Sequence, residues 1–251
     1  QSREDWEKTY KPLLMNEGIR VNPQQAAERD REARKAGKWT FLAGIEGFEA
    51  TRALIGDETT MLAMIEDPQW IYEISETFVD LSIRGYEMIL EAGAEPDGLW
   101  TYGDMAYNHA TMCSPAMYDE LFRPGHKRLC QWAHDRGMKF IYHTDGDVNG
   151  VMDLYVDAGF DALQPLEAKA NMDIRELCPT YGDQLTFFGN IDVMIMGAND
   201  LERLEHEVKS KLAAGMATKR YIYHSDHSVP PSCDFETWKF VIDLLNRYGN
   251  Y

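Results

Sequence analysis

The stretch FIYHTDGDV, residues 140–148, passes from an apolar strand into a polar cluster within a few residues. Its first three residues are apolar or aromatic, which is typical of a buried strand, and they are followed by His143 and, two residues later, Asp145. An imidazole and a carboxylate are costly to bury without partners. We therefore expect the apolar part to lie inside a sheet and the polar part to stand at the rim of a site.

The same arrangement recurs along the chain, where short apolar segments end in polar residues. These segments are WTFLAGIEG (39–47), DGLWTYGD (97–104), MKFIYHTDGD (138–147), FDALQPLE (160–167), QLTFFGNID (184–192) and RYIYHSDH (220–227). Helices are expected between them, since Asn22, Asp67 and Ser114 are each followed by proline, as at many helix starts. Strands and helices that alternate in this way indicate a parallel sheet covered by helices.

In a TIM-type (β/α)8 barrel the carboxyl ends of the strands form the site face, and the polar residues fall at those ends here. A complete barrel takes roughly 250 residues, but the long helices of this chain leave room for six strand–helix units. Residues 1–38 show no strand pattern. We therefore predict one α/β domain over residues 1–251, an incomplete TIM-type barrel with a helical lead-in at 1–38 and barrel units at 39–251.

Composition narrows the classes of partner. The 251 residues include 42 acidic and 25 basic side chains, for a net charge of −17. Such a chain is expected to bind neither nucleic acid nor an anionic membrane surface, since both would repel it. No apolar run approaches the roughly 18 residues of a membrane span. The four cysteines are scattered, which favours reduced thiols and a cytoplasmic location.

Several motifs resemble the uroporphyrinogen decarboxylase superfamily, which includes corrinoid- and coenzyme M-linked methyltransferases. The matching pieces are GDETTMLAMIEDPQ (56–69), FFGNID (187–192) and RYIYHSDHSVPPSCDFE (220–236), with REDWEKTYKPLL (3–14) and QPLEAKANMDI (164–174) closest to the methyltransferase-like branch. The resemblance covers essentially the whole chain in the right order, and it implies a β/α barrel. Aligned by eye, the chain corresponds to the last two-thirds of that family, without its N-terminal third.

The resemblance also implies a metal site. Zinc-dependent methyltransferases of the superfamily use His-x-Cys at one strand end and a later Cys, and these places hold His143, Asp145 and His227 here. Two imidazoles and one carboxylate would suit zinc, with Fe, Mn or Co as alternatives. His224 and Asp226 are the substitutes if another residue of the last strand is the ligand. The other reading is a rim histidine that is hydrogen-bonded to a neighbouring aspartate.

Further candidates stand at the remaining strand ends. Asp104, Glu167 and His227 are the catalytic candidates, which would position substrate or assist proton transfer. Equally, Asp104 could cap the following turn and Glu167 could pair with Lys169. The candidates for substrate binding are Glu46, Tyr102, Tyr142, Asn190, Asp192 and Tyr223. The tyrosines could instead pack in the barrel, and the Asn-Ile-Asp segment could hold its own loop.

The function that the resemblance implies is metal-dependent methyl transfer between a small methylated substrate and a corrinoid carrier protein or a thiol. One alternative is tetrapyrrole decarboxylation, although the acidic rim is unfavourable for a polyanionic substrate. Another is a binding protein without catalysis, because the thiolates are missing and the family's Gly-His-Gly reads Asp226-His227-Ser228 here. Unpaired strand edges in an incomplete barrel lead us to expect a homodimer.

Overall fold

The computed structural model describes residues 2–17, 19 and 21–250. Within them the chain forms two compact units. The first comprises the residues up to Met105 together with Met112–Tyr142 and Asp153–Phe160, and the second comprises Ala106–Thr111, His143–Met152 and the residues from Asp161 onward. The assignment of one domain to residues 1–251 stays a prediction.

The described residues contain the six predicted strands and one small hairpin. In chain order the strands are β1 (Phe41–Ile45), β2 (Gly98–Tyr102), β3 (Ala106–Tyr107), β4 (Ala110–Thr111), β5 (Lys139–Thr144), β6 (Ala162–Pro165), β7 (Thr186–Ile191) and β8 (Tyr221–Ser225). The antiparallel pair β3–β4 was not predicted, because two residues per strand leave no hydrophobic pattern to detect.

The large sheet has the order β1-β2-β5-β6-β7-β8, so its strands follow one another in chain order. The pairs β1–β2, β6–β7 and β7–β8 are parallel, and the last aligns Phe187 with Tyr221 and Ile191 with Ser225. Parallel neighbours joined by helices are the repeating units of a TIM-type barrel. The predicted fold class is therefore confirmed, with six such units in the described part of the chain.

Helices occupy the connections between the strands. Their bounds are α1 (Arg3–Asp5), α2 (Lys11–Glu17), α3 (Pro23–Lys35), α4 (Gly47–Ile55), α5 (Asp57–Glu66), α6 (Pro68–Glu91), α7 (Pro115–Leu121), α8 (Arg123–His134), α9 (Met152–Ala158), α10 (Ile174–Tyr181), α11 (Val193–Gly197), α12 (Leu201–Ala217) and α13 (Phe235–Tyr248). A π-helical turn covers Trp6–Tyr10, and 3-10 turns cover Asn149–Val151 and Ala168–Ala170. Among the helices of the described residues, none combines the length and apolar character that a membrane crossing needs.

The predicted helix starts are confirmed by their capping bonds. The side chain of Asn22 accepts from Gln25 N at 3.1 Å, and that of Ser114 accepts from Met117 N at 3.2 Å. Each bond satisfies an amide that the first turn of a helix leaves without a partner. Asn22 and Ser114 are each followed by a proline at the first helical position.

The core of the first unit is rich in aromatic residues. Tyr118, Tyr142 and Tyr155 are fully buried there, with Phe160 stacked on Tyr155 at a centroid distance of 4.8 Å. The ring of His126 lies in the same cluster, 5.0 Å from that of Tyr142. Two members of this cluster contact the residues that follow β1 and β2, since His126 lies 3.2 Å from Glu46 and Tyr142 donates to Gly103 O.

The second unit contains a buried ion pair. Lys211 and Glu207, both on α12, are almost fully buried and lie 2.5 Å apart, and Lys211 Nζ also donates to Asn190 O at 2.6 Å. Buried charges are stable when they are paired and hydrogen-bonded in this way. The pair ties α12 to the end of β7.

Candidate functional site

The end of β5 carries the two residues around which the site is built. His143 is the second-last residue of the strand, and Asp145 comes directly after its end. The Nδ1 atom of His143 lies in hydrogen-bond contact with Oε1 of Gln164 on β6. An amide oxygen can only accept, so this contact fits a ring that is protonated at Nδ1 and has its lone pair on Nε2. In that tautomer His143 would bind an ion through Nε2.

Two donors of a possible metal site lie together at the end of β5. His143 and Asp145 each offer one ligand atom, and these two atoms lie within 4.8 Å of each other. An imidazole and a carboxylate suit zinc, iron, manganese or cobalt.

The predicted ligand set has His227 as its third member, beside His143 and Asp145. His227 is exposed, and its backbone carbonyl accepts from Ser225 Oγ at 2.8 Å. Its role as a ligand or a catalytic residue stays a prediction.

The first unit holds the backbone around Asp104 in place. The hydroxyl of Tyr142 donates to Gly103 O at 2.8 Å, and Arg52 Nη1 donates to Asp104 O at 3.3 Å. Gly103 packs so closely on Glu46 that a Cβ atom at this position would lie 1.8 Å from Oε1 of that carboxylate. Glycine is therefore required at the residue before Asp104, and the turn has little freedom to move.

Glu46 ends β1, but both of its carboxylate oxygens have structural partners. Oε2 accepts from Phe48 N at 2.7 Å and Oε1 from Glu49 N at 2.9 Å, which caps α4. His126 Nε2 lies 3.2 Å from Oε2, and the whole carboxylate is buried. These contacts explain the position of Glu46 without a substrate, so its predicted binding role gains no support from the geometry.

The other ring nitrogen of His126 extends this network. Nδ1 lies 2.8 Å from the hydroxyl of Tyr118, and burial raises the pKa of that tyrosine well above its usual range. Tyr118 therefore remains protonated, and the ring of His126 connects its hydroxyl to the carboxylate of Glu46. This buried relay was not predicted from the sequence, because His126 sits inside a helix and far from any strand end.

Glu167, a catalytic candidate, also has two partners. Its Oε2 accepts from Gly146 N at 2.8 Å, and its Oε1 pairs with Lys169 at 2.8 Å. The ion pair is the alternative that the sequence had left open. The bond to Gly146 adds a second function, because it holds the loop directly after Asp145.

In the Asn-Ile-Asp segment at the end of β7, the Asn and Asp side chains form hydrogen bonds with backbone groups. Asn190 is fully buried, accepts from Ile174 N at 3.2 Å and donates to Leu166 O at 2.6 Å. Asp192 caps α11 by accepting from Met194 N at 2.7 Å. The loop-holding alternative that the sequence offered for both residues accounts for these contacts.

Asp226 was named as a substitute ligand, and in the structure its side chain accepts hydrogen bonds from two backbone amides. Its side chain is fully buried and accepts from Val193 N at 2.9 Å and Ala168 N at 3.0 Å. Burial raises the pKa of this carboxyl above its ordinary value. The other substitute, His224, contacts the carbonyl oxygen of Ser225 through Nδ1.

The predicted tyrosines occupy different environments. Tyr102 is 44% exposed at the end of β2, whereas Tyr142 is fully buried and bonded to Gly103. Tyr223 is partly buried, and desolvation raises the pKa of its hydroxyl to about 12. Of the three, Tyr102 has the exposure that a direct contact with a substrate would need.

Comparisons with known proteins address the family. The profile of the family described as uroporphyrinogen decarboxylase (URO-D) matches residues 47–248. A solved structure of a methyltransferase from Methanosarcina mazei is similar, with a TM-score of 0.70 and 16% identity over 90% of this chain. The chain spans 64% of the length of that methyltransferase, and at this identity the likeness concerns the fold alone. The search of curated proteins found no match. From the profile match, the chain belongs to the uroporphyrinogen decarboxylase family.

Proposed function

We propose that the protein catalyses methyl transfer between a small methylated substrate and a corrinoid carrier or thiol, with a divalent transition metal held at the end of β5. The observation that carries this proposal is the pair His143 and Asp145, whose ligand atoms lie within 4.8 Å of each other. Family membership and the likeness in fold to a methyltransferase support it. The preferred metal is zinc, by its affinity for imidazole and carboxylate.

Each group would have a separate task. A bound divalent ion supplies Lewis acidity, which lowers the pKa of a thiol or polarises an oxygen of the substrate. Gln164 would orient His143. Tyr102, exposed beside the strand ends, would contact the apolar part of the substrate.

The first test is the metal content of the purified protein, measured by plasma mass spectrometry after reconstitution with Zn²⁺ or Co²⁺. We expect about one equivalent in the native protein and loss of the metal in His143→Ala. His206→Ala is the matched control, since His206 is exposed on α12, outside the proposed site. Failure of the native protein to bind either ion would contradict the proposal.

The second test monitors the reaction with defined probes. Methylcobalamin serves as donor and the thiolate of 2-mercaptoethanesulfonate as acceptor. The C–S bond forms as the Co–C bond breaks, its electron pair stays on cobalt as cob(I)alamin, and loss of the methylcobalamin absorbance reports the transfer. We expect turnover in the metal-loaded protein and none in His143→Ala. Metal binding without turnover would leave the metal site standing and count against this pair of substrates.

Tetrapyrrole decarboxylation is the second candidate function, because the matching family profile carries the name of that decarboxylase. The probe is uroporphyrin, whose fluorescence changes on binding. Tight binding of uroporphyrin by a protein that binds no metal would favour this candidate. A protein that binds neither metal nor uroporphyrin would favour the third hypothesis, a binding protein without catalysis.

The expectations about assembly and location are separate from the reaction. We propose a homodimer, with a corrinoid-bearing protein as a further partner and the cytoplasm as the location. Light scattering coupled to size-exclusion chromatography tests the dimer directly. A mass of one chain at micromolar concentration would overturn it.

A further inference from the structure

Gln164 is a polar residue in an otherwise apolar environment. It lies on β6, a strand whose four residues are all buried, and its side chain is 6% exposed. An amide in such a place is costly unless it is hydrogen-bonded. Its Oε1 atom contacts Nδ1 of His143, so the bond that justifies burying the amide is a bond to the candidate ligand.

We propose that Gln164 is the positioning residue of His143: it holds the imidazole in the tautomer protonated at Nδ1 and so presents Nε2 to the metal. The inference rests on the proposed function, since it takes His143 as a ligand. Histidine ligands commonly donate their second ring N–H to a protein acceptor, which fixes both the tautomer and the orientation of the ring. Gln164 supplies that acceptor here.

The backbone that carries Gln164 is itself held firmly. A Cβ atom on Gly189 of β7 would lie 1.9 Å from Pro165 O, so β7 packs directly against the residue after Gln164. Asn190 donates to Leu166 O at 2.6 Å, one residue further on. Gln164 therefore reaches His143 from a backbone with little freedom, which is what a positioning residue needs.

Two substitutions separate the effect of the bond from that of packing. Gln164→Met keeps the length and volume of the side chain and removes the acceptor. Gln164→Glu keeps an acceptor and cannot donate, so it enforces the Nδ1–H tautomer. Gln184→Met is the matched control, because Gln184 is exposed in the turn before β7.

The first readout is Co²⁺ and Zn²⁺ affinity by titration calorimetry. We expect a loss of about 10- to 100-fold in Gln164→Met, the usual effect of removing an outer hydrogen-bond partner of a ligand. Gln164→Glu should keep or increase the affinity, and Gln184→Met should match the native protein. Thermal denaturation of the metal-free forms identifies any variant that is simply misfolded.

The second readout needs no metal. Long-range ¹H–¹⁵N spectra of the metal-free protein report which nitrogen of His143 carries the proton. We expect Nδ1–H in the native protein and in Gln164→Glu, and a shift toward Nε2–H in Gln164→Met. An Nε2–H tautomer in the native protein would overturn the inference.

The outcomes distinguish the metal site from the positioning role. If His143→Ala binds metal as well as the native protein, the proposed function fails at its first step. If His143→Ala loses the metal while Gln164→Met keeps native affinity, the site stands and the positioning role of Gln164 is wrong. Rescue of affinity and tautomer by glutamate, with loss in methionine, would support both.

Discussion

Two strand ends that look alike in the sequence differ in the structure. Glu46 comes after β1 as Asp145 comes after β5, and both are acidic residues directly after an apolar strand. The carboxylate of Glu46 is buried, caps α4 through two amides and faces His126. Asp145 instead offers a donor atom beside that of His143.

The difference arises from the segment on the C-terminal side of each strand. After Glu46 the chain enters α4 at once, so two backbone amides of the first turn need an acceptor, and the nearest carboxylate supplies it. After Asp145 the chain makes a turn at Gly146, whose amide is bound by Glu167 from another segment. The two strand ends therefore differ in which residue satisfies the local backbone amides.

The largest effect on stability is expected at Glu46. Glu46→Ala leaves one buried amide, one partly buried amide and one ring nitrogen of His126 without their acceptor, so we expect the free energy of unfolding to fall by about 3 kcal/mol. Glu46→Gln keeps one acceptor oxygen and should lose less. Urea denaturation measures both, with the exposed Glu58→Ala in the first turn of α5 as control.

A loss below about 0.5 kcal/mol in Glu46→Ala, which is the size expected of an ordinary surface substitution, would contradict the capping role. Glu46 would then again be a candidate whose charge serves a substrate.

The next effect tests the predicted third ligand. His227→Ala removes an imidazole from the predicted ligand set, so we expect Zn²⁺ affinity to fall by at least about 10-fold, an amount typical even of outer-shell changes. Asp104→Asn, at a catalytic candidate outside that set, should leave the affinity unchanged. Calorimetric titration of both variants decides the matter, and the opposite result would contradict His227 as a ligand.

A smaller effect concerns two tyrosines of the same cluster, whose rings lie 5.5 Å apart. The hydroxyl of Tyr142 donates to Gly103 O, whereas that of Tyr155 is buried without a hydrogen-bond partner among the described residues. We expect Tyr142→Phe to lower the unfolding free energy by about 1 kcal/mol and Tyr155→Phe to leave it unchanged or raise it slightly. Equal losses in the two variants would show that the bond to Gly103 contributes nothing.

The six strands of the large sheet could be predicted from the sequence, because they are continuous apolar runs and the helices between them have clear start signals. The six predicted segments each contain one strand of the large sheet, and the caps at Asn22 and Ser114 form as expected. The hairpin β3–β4 escaped, since strands of two residues have no periodicity.

The site was harder to predict because a residue type at a strand end does not reveal its partner. Glutamate is an uncommon N-cap, so nothing in the local sequence marked Glu46 as one. Gln164 carried a usable signal, a polar side chain within a strand that is otherwise apolar. His126 carried none, because a histidine on the inner face of a helix has the same local pattern as one on the outer face.

The smallest effect tests a carboxylate just before a strand. Asp97 precedes β2, and its Oδ2 accepts from Thr40 N at 2.8 Å while Arg34 donates to Oδ1 at 3.0 Å. The bond from the Thr40 amide lowers the pKa of this carboxyl. A lowered pKa in the folded state means stability that is present above the ordinary aspartate pKa and is lost as the pH falls through the folded value.

We therefore expect Asp97→Asn to lower the unfolding free energy by less than about 1 kcal/mol at pH 7, since the group is partly exposed and screened by solvent. The difference from the native protein should shrink as the pH is lowered toward 3, because protonation then removes the same charge from Asp97. Asp183→Asn, exposed in the turn after α10, controls for the loss of one negative charge. A difference that stays constant from pH 7 to pH 3 would mean that the amide geometry of Asp97, and not its charge, stabilises the start of β2.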